Sequence, residues 1–281
     1  MRVAIAGASG LIGSALTAHL SGAHTVVPIP RGLPDAHVLD GADAVVNLAG
    51  AGIGDKRWTD ARRRELETSR IATTERLVAA IAGMARPPAV LVNASAVGWY
   101  GDRGDEELTE ASAPGTGFLA SLCQRWEAAA ATASGAGVRV ALARSGIVLA
   151  RSGGALGRQL PLFRLGVGGR LGSGRQWVSW IALEDEVRAI EFLLTAPVDG
   201  PVNLTSPLPV TNAEFTAALG RALRRPAKLP VPAFALRAAL GAELADELVL
   251  ASQRAVPGAL HAAGFSFGHP TIDGALRHTF A

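Results

Sequence analysis

An apolar run over residues 2–6, Arg-Val-Ala-Ile-Ala, leads into Gly7-Ala8-Ser9-Gly10-Leu11-Ile12-Gly13 and then into a helical pattern reaching about Leu20. The pattern predicts a strand, a tight turn and a helix. Apolar runs over 24–29 and 43–49 predict a second and a third strand, with few residues between them. From residue 59 to about residue 84, polar capping residues precede a stretch in which Leu66, Thr73, Leu77, Val78 and Ile81 recur near helical spacing, and Pro87-Pro88 ends it. Residues 89–95 predict the next buried strand, and a loop rich in Gly, Asp and Glu follows to Thr116. A helix over about 117–133 carries the stripe Phe118, Leu119, Leu122, Cys123, Trp126 and Ala130, closes at Gly135-Ala136-Gly137 and precedes a strand over 138–144. Alternation through residue 149 requires crossover connections. The expected class is therefore α/β, a doubly wound parallel sheet covered by helices on both faces.

Beyond residue 150 the texture changes. Gly153, Gly154, Gly166, Gly168, Gly169, Gly172 and Gly174 crowd a segment that also carries Arg158, Arg164, Arg170 and Arg175, which suits a mobile or binding loop. Helices fit 184–195, 211–224, 233–250 and 271–279, separated by Pro-containing turns around 197–209 and 226–232. The expected division is a dinucleotide-binding part over 1–150 and a smaller, mostly helical substrate lobe over 151–281, interleaved with the first rather than independent. Between the second strand and Asp43 there is little room for the usual helix and strand, although 35–40 keeps a fragment on the adenine side.

Composition narrows the class. With 49% apolar and 18% charged residues, the chain can bury a core and is not a disordered polymer. The net charge of +3 gives no concentrated basic field, and Arg62-Arg63-Arg64, followed by Glu65 and Glu67 without neighbouring aromatics, reads as a solvated helix face; nucleic acid is not expected. No run reaches the roughly 18–20 apolar residues of a membrane span. The single cysteine and the absence of a secretory signal pattern make the cytoplasm the expected compartment. Cys123 sits in an apolar stripe and reads as packing. The histidines at 19, 24, 37, 261, 269 and 278 show no metal-ligand spacing, so no metal is expected. A homo-oligomer is compatible with all of this.

The Gly7-x-x-Gly10-x-x-Gly13 spacing gains meaning from its place between a strand and a helix. Gly7 permits the tight turn, Gly10 lets a pyrophosphate approach the backbone, and Gly13 allows close packing of helix on strand. Amides around Ser9, Gly10, Leu11 and Ile12 would bind phosphate oxygens. This is the signature of a Rossmann dinucleotide site. At the end of the second strand Pro30-Arg31-Gly32 stands where an acidic residue would receive a ribose hydroxyl, so Arg31 is expected to take the 2′-phosphate of NADP(H).

The order Gly7 to Gly13, Asn47-Leu48-Ala49-Gly50, Asn93-Ala94-Ser95-Ala96, Tyr100-Gly101 and Arg144-Ser145-Gly146-Ile147-Val148-Leu149 resembles extended short-chain dehydrogenases/reductases. Ser69-Arg70, Trp126-Glu127, Gly172-Ser173-Gly174-Arg175-Gln176-Trp177 and Ala251-Ser252-Gln253-Arg254 resemble, more narrowly, their atypical sugar-nucleotide epimerase group, over nearly the whole chain. The resemblance implies that Leu48, Ala49 and Gly50 line the cofactor, that Arg70 and Glu65 approach it, and that the C-terminal lobe closes a cleft over the nicotinamide.

The family's serine is matched by Ser95. Its Tyr-x-x-x-Lys is not matched: depending on a one-residue offset, the tyrosine position is Phe118 or Leu119 and the lysine position Leu122 or Cys123, none of which transfers a proton as that pair does. Tyr100, the chain's only tyrosine, is the remaining candidate acid, against the alternative of a loop aromatic packed on the cleft wall. Ser95 would position a substrate oxygen, against an ordinary strand-end hydrogen bond. A histidine found in relatives within Trp-Ile-His is Ala182 here. Two functions stay open: an NADP-dependent oxidoreductase or epimerase-like enzyme on a small polar, sugar-nucleotide-like substrate, or a noncatalytic NADP(H)-binding sensor or interaction protein.

Overall fold

The computed structural model describes residues 1–32 and 36–281, with side chains in the second stretch from Val38 onward. Of the expected adenine-side fragment, Asp35 lies outside the described residues and Ala36–Leu39 forms one helical turn. Six strands, β1 Arg2–Ala6, β2 Thr25–Ile29, β3 Ala44–Asn47, β4 Val90–Ala96, β5 Arg139–Ser145 and β6 Gly200–Leu204, form one sheet in the order β6-β5-β4-β3-β1-β2. Every neighbouring pair is parallel. The helices of two turns or more are α1 Leu11–Leu20, α2 Asp60–Glu67, α3 Thr73–Ala82, α4 Phe118–Ala131, α5 Gly154–Arg164, α6 Leu183–Thr195, α7 Asn212–Leu223, α8 Ala233–Leu240 and α9 Ile272–Phe280.

Both faces of the sheet's central strands are buried. Val3, Ile5, Val46 and Val92 pack against Leu16 and Leu20 of α1 and Val187, Ile190 and Leu193 of α6. The alternate residues Ala4, Val45, Leu91 and Val140 pack against Leu77, Val78 and Ile81 of α3 and Ala130 of α4. This two-sided burial is why the strands read as continuous apolar runs. The chain runs from β1 to β2 on one side and returns to β3 on the other, so the loops after β1 and β3 part at a topological switch point, where open α/β sheets bind ligands. Among the described residues no helix is long and apolar enough to cross a membrane.

Four expectations are corrected. The helix expected over 59–84 is α2 and α3 joined by a π turn over Thr68–Ala72; an inserted residue shifts the face without destroying the apolar rhythm. The segment 153–175 is not all loop, because α5 forms within it on Leu156, Leu160 and Phe163, which pack on Phe215 and Leu219 of α7; the surrounding glycines mask that period. The turn expected around 197–209 contains β6, whose Pro201 is tolerated because β6 is an edge strand. The helix expected over 233–250 breaks at Gly241, φ +93°, and resumes as a short turn and a π turn over Ala245–Val249.

Candidate functional site

The glycine loop is built by its own backbone. Gly7 has φ +79°, and a Cβ there would stand 2.7 Å from the Leu48 carbonyl carbon. A Cβ on Gly13 would run into the Gly7 carbonyl oxygen, so Gly13 is closed to side chains by the turn itself and Gly7 by the backbone that leaves β3. Gly10 differs: its Cβ would meet only the Gly7 oxygen, at 3.3 Å, and otherwise open space. Gly10 is the N-cap of α1, no side chain caps that end, and no acidic residue occupies the first turn. The N–H groups of Leu11, Ile12 and Gly13 therefore face a site suited to an anion, beside the exposed Ser9. Arg31 is exposed just past β2.

Across the switch point, Leu48, Ala49 and Gly50 leave β3. The amide of Leu48 donates to the Ala6 carbonyl at 2.9 Å, and buried Asn47 donates to Asn93 at 2.6 Å and to Thr74 at 2.8 Å, which fixes the loop. These three residues line a cleft of about 320 Å³ that also takes in Arg70, Ser95 and, from the second half of the chain, Glu247.

Arg70 is the one cation among the residues lining this cleft and Glu247 the one carboxylate. The π turn aims Arg70 inward, where its Nη2 donates to the Ala51 carbonyl at 2.8 Å and its guanidinium lies 5.2 Å from the Trp126 ring centre. Among the described residues no carboxylate pairs with it. Burial, aided by Arg62, lowers its pKa to about 10, so it stays cationic at neutral pH. Glu65 goes the other way: it is exposed on α2, pairs with Arg62 at 2.7 Å and does not line the cleft. Arg62 and Arg63 are not a solvated face. Arg62 is buried and donates to the Gly52 carbonyl, while Arg63 pairs with Glu243 of the second half.

Ser95 lines the cleft at the end of β4 and donates to Glu127 Oε1 at 2.6 Å. Both oxygens of Glu127 are held by Arg144, Nε and Nη2 each at 2.8 Å. Arg144 Nη1 in turn donates to the Tyr100 hydroxyl at 3.1 Å, which donates to Asn203 at 2.7 Å. The structure does not bring Tyr100 to the cleft. It is fully buried, against Val97, Leu108 and Ala255, and burial pushes its pKa up. Below Ser95, the helix face where the Tyr-x-x-x-Lys pair would stand presents Leu119, Leu122 and Cys123. Burial pushes the Cys123 thiol up to about 12, which keeps it protonated and inert.

Sequence reasoning gave no role to Glu127, Arg144 or Glu247. Glu127 follows Cys123 by one helical turn in an apolar stripe, and Arg144 ends an apolar strand. A charge in each of those places is the signal that could have found them. Glu247 had no such signal. Its carboxylate accepts from the amides of Phe118, at 3.0 Å, and Leu119, at 2.8 Å, and so caps α4 from the other half of the molecule. Ser145, also on the cleft wall, donates to buried Glu186 at 2.6 Å, and burial raises that carboxyl to about 8.

The NAD dependent epimerase/dehydratase family model matches residues 3–205, and a domain of unknown function, DUF1731, matches residues 231–279. The chain is 54% identical to epimerase family protein MT2273 of Mycobacterium tuberculosis, over 98% of this chain and 96% of that protein. It superposes on the crystal structure of human epimerase family protein SDR39U1 (isoform2) with NADPH at TM-score 0.93, 35% identity, covering 100% of this chain and 99% of that one. It also covers 58% of a longer nucleoside-diphosphate sugar epimerase from Corynebacterium glutamicum, with 100% of its own length, 37% identity and TM-score 0.79. With its glycine loop at the switch point and this likeness along its whole length, the chain belongs to the NAD dependent epimerase/dehydratase family.

Proposed function

We propose that the protein is an NADP(H)-dependent oxidoreductase or epimerase-like enzyme that acts on a small polar substrate of the sugar-nucleotide class. The observation that carries this reading is the buried Arg70, which meets backbone carbonyls and, among the described residues, no carboxylate, in a cleft whose Leu48 wall backs onto Gly7 of the glycine loop, a place for an anionic ligand. The NADPH in the human relative and the name of the Corynebacterium relative support the cofactor and the substrate class. The residues fit the cofactor: open space at Gly10, an uncapped helix end, and an exposed arginine where the 2′-phosphate would lie. When bound, NADP(H) supplies hydride exchange at a carbon of the substrate.

The chain's own residues would do the rest. Leu11, Ile12 and Gly13 present amides to the pyrophosphate, Leu48, Ala49 and Gly50 form the wall beside the ribose, and Arg31 receives the extra phosphate. Ser95 orients a substrate oxygen, and its hydroxyl is aimed by the chain Glu127, Arg144, Tyr100 and Asn203. Tyr100 thus acts as a positioning residue, through Arg144. Glu247, the cleft's one carboxylate, is the group that could accept a proton from substrate. The apolar Leu119, Leu122 and Cys123 favour a second reading, a cofactor-binding sensor without turnover.

The test is NADPH oxidation screened with carbonyl compounds and sugar nucleotides, followed by Ser95→Ala. Loss of roughly tenfold or more in kcat is expected. Cofactor binding with no turnover on any substrate supports the sensor instead.

A further inference from the structure

Away from the cleft, the first turn of α6, the loop before α9 and the last turn of α9 meet at the surface. Nε2 of His269 and Nε2 of His278 lie 3.2 Å and 2.9 Å from one oxygen, Oε2 of Glu184. The two imidazoles stack with centroids 4.2 Å apart and 24° between their planes. The three donor atoms all lie within 4.8 Å of one another. Two imidazole nitrogens and a carboxylate oxygen, converging from three elements, are the donor set of a three-ligand zinc site that keeps a further position open.

The arrangement is braced from behind. The amides of Gly268 and His269 donate to Asp185 at 2.7 Å and 2.8 Å, and Asp185 is wholly buried and paired with Arg188. The helix carrying His278 is packed through Ile272, Ala275 and Leu276 on Phe215 and Leu219 of α7. A cavity of about 330 Å³, bordered by Glu184, His278, Thr279 and Arg151, opens beside the cluster and gives room for water as a fourth ligand. Sequence spacing hides the set, since Glu184 lies 85 residues from His269 along the chain.

We propose that Glu184, His269 and His278 bind one divalent metal ion of the zinc class, which ties α9 to the start of α6. The experiment uses the full chain, stripped of metal and free of any histidine tag, titrated calorimetrically with Zn²⁺ and spectroscopically with Co²⁺. One equivalent of zinc, visible cobalt absorption and a rise in Tm with zinc are expected. His269→Ala and His278→Ala should each weaken binding roughly tenfold or more, and the double variant should lose both the cobalt spectrum and the Tm response. Glu184→Gln, which keeps the side-chain size, gives the same reading if a histidine variant folds poorly. No saturable binding to the native chain overturns the proposal, because two imidazoles then simply donate to a shared carboxylate. Binding unchanged in the double variant overturns it equally.

Discussion

The guanidinium of Arg144 is divided among Glu127, the Tyr100 hydroxyl and the face of Trp99, whose ring centre lies 3.6 Å away. A buried cation is tolerable only when its donors are satisfied and a charge opposes it, and here the opposing charge also receives the Ser95 hydroxyl. The consequence is that a residue with no access to the cleft sets the direction of one that has it. Tyr100→Phe removes the hydroxyl between Arg144 and Asn203 and leaves two buried polar groups short of a partner. The expected loss of stability is about 1–3 kcal/mol, read from chemical denaturation. An unchanged denaturation midpoint would mean that the Tyr100 contacts carry no energy and do not aim Ser95.

At the scale of elements, the first five strands of the sheet, the glycine turn and the helices over the first half were legible because apolar period and glycine spacing are local properties, whereas β6 was hidden by the turn signal of its Pro201. β1 with Gly7, Gly10 and Gly13, and β4 with Ser95, stand where those signals put them. What escaped were features whose cause lies elsewhere in the chain or in a single inserted residue. The π turn over Thr68–Ala72 keeps the spacing of Leu66 and Leu77 nearly helical while turning Arg70 to the cleft. The burial of Arg62 depends on the distant Gly52 carbonyl. The N-terminal end of α4 begins at Gly117, with no cap of its own, and is closed by Glu247. Glu247→Ala should therefore lower stability by about 0.5–2 kcal/mol, as for loss of a helix cap with its favourable charge. Thermal unfolding beside Glu247→Gln, which keeps one acceptor and should recover part of the loss, checks the assignment. Equal stability of Glu247→Ala and the native chain would show that the bond does not hold the two halves together.

For the whole molecule, the second half of the chain grips the segment that leaves β3. Arg57 donates to the Ala239 carbonyl at the end of α8, Arg63 pairs with Glu243, Arg158 reaches Gly54 and Asp55, and Glu247 seals α4. One wall of the cleft is thus the segments that leave β3, β4 and β5, and the other is a lobe whose Leu248 and Val249 also line it. Ser95 and Glu247, one from each wall, would then share the cleft with a bound cofactor. That arrangement depends on NADP(H) occupying the glycine loop with Arg31 on its 2′-phosphate. The direct measurement is calorimetric titration of NADPH and NADH at one fixed ionic strength into the native chain, Arg31→Ala and Gly10→Val, since exposed charge contacts are screened by salt. The account predicts that the native chain prefers NADPH by roughly tenfold or more, the worth of one charge-assisted contact, and that Arg31→Ala erases the preference. It predicts that Gly10→Val, still unfolding cooperatively, binds both cofactors poorly. Equal affinities in the native chain, a preference untouched by Arg31→Ala, or normal binding by folded Gly10→Val would contradict it.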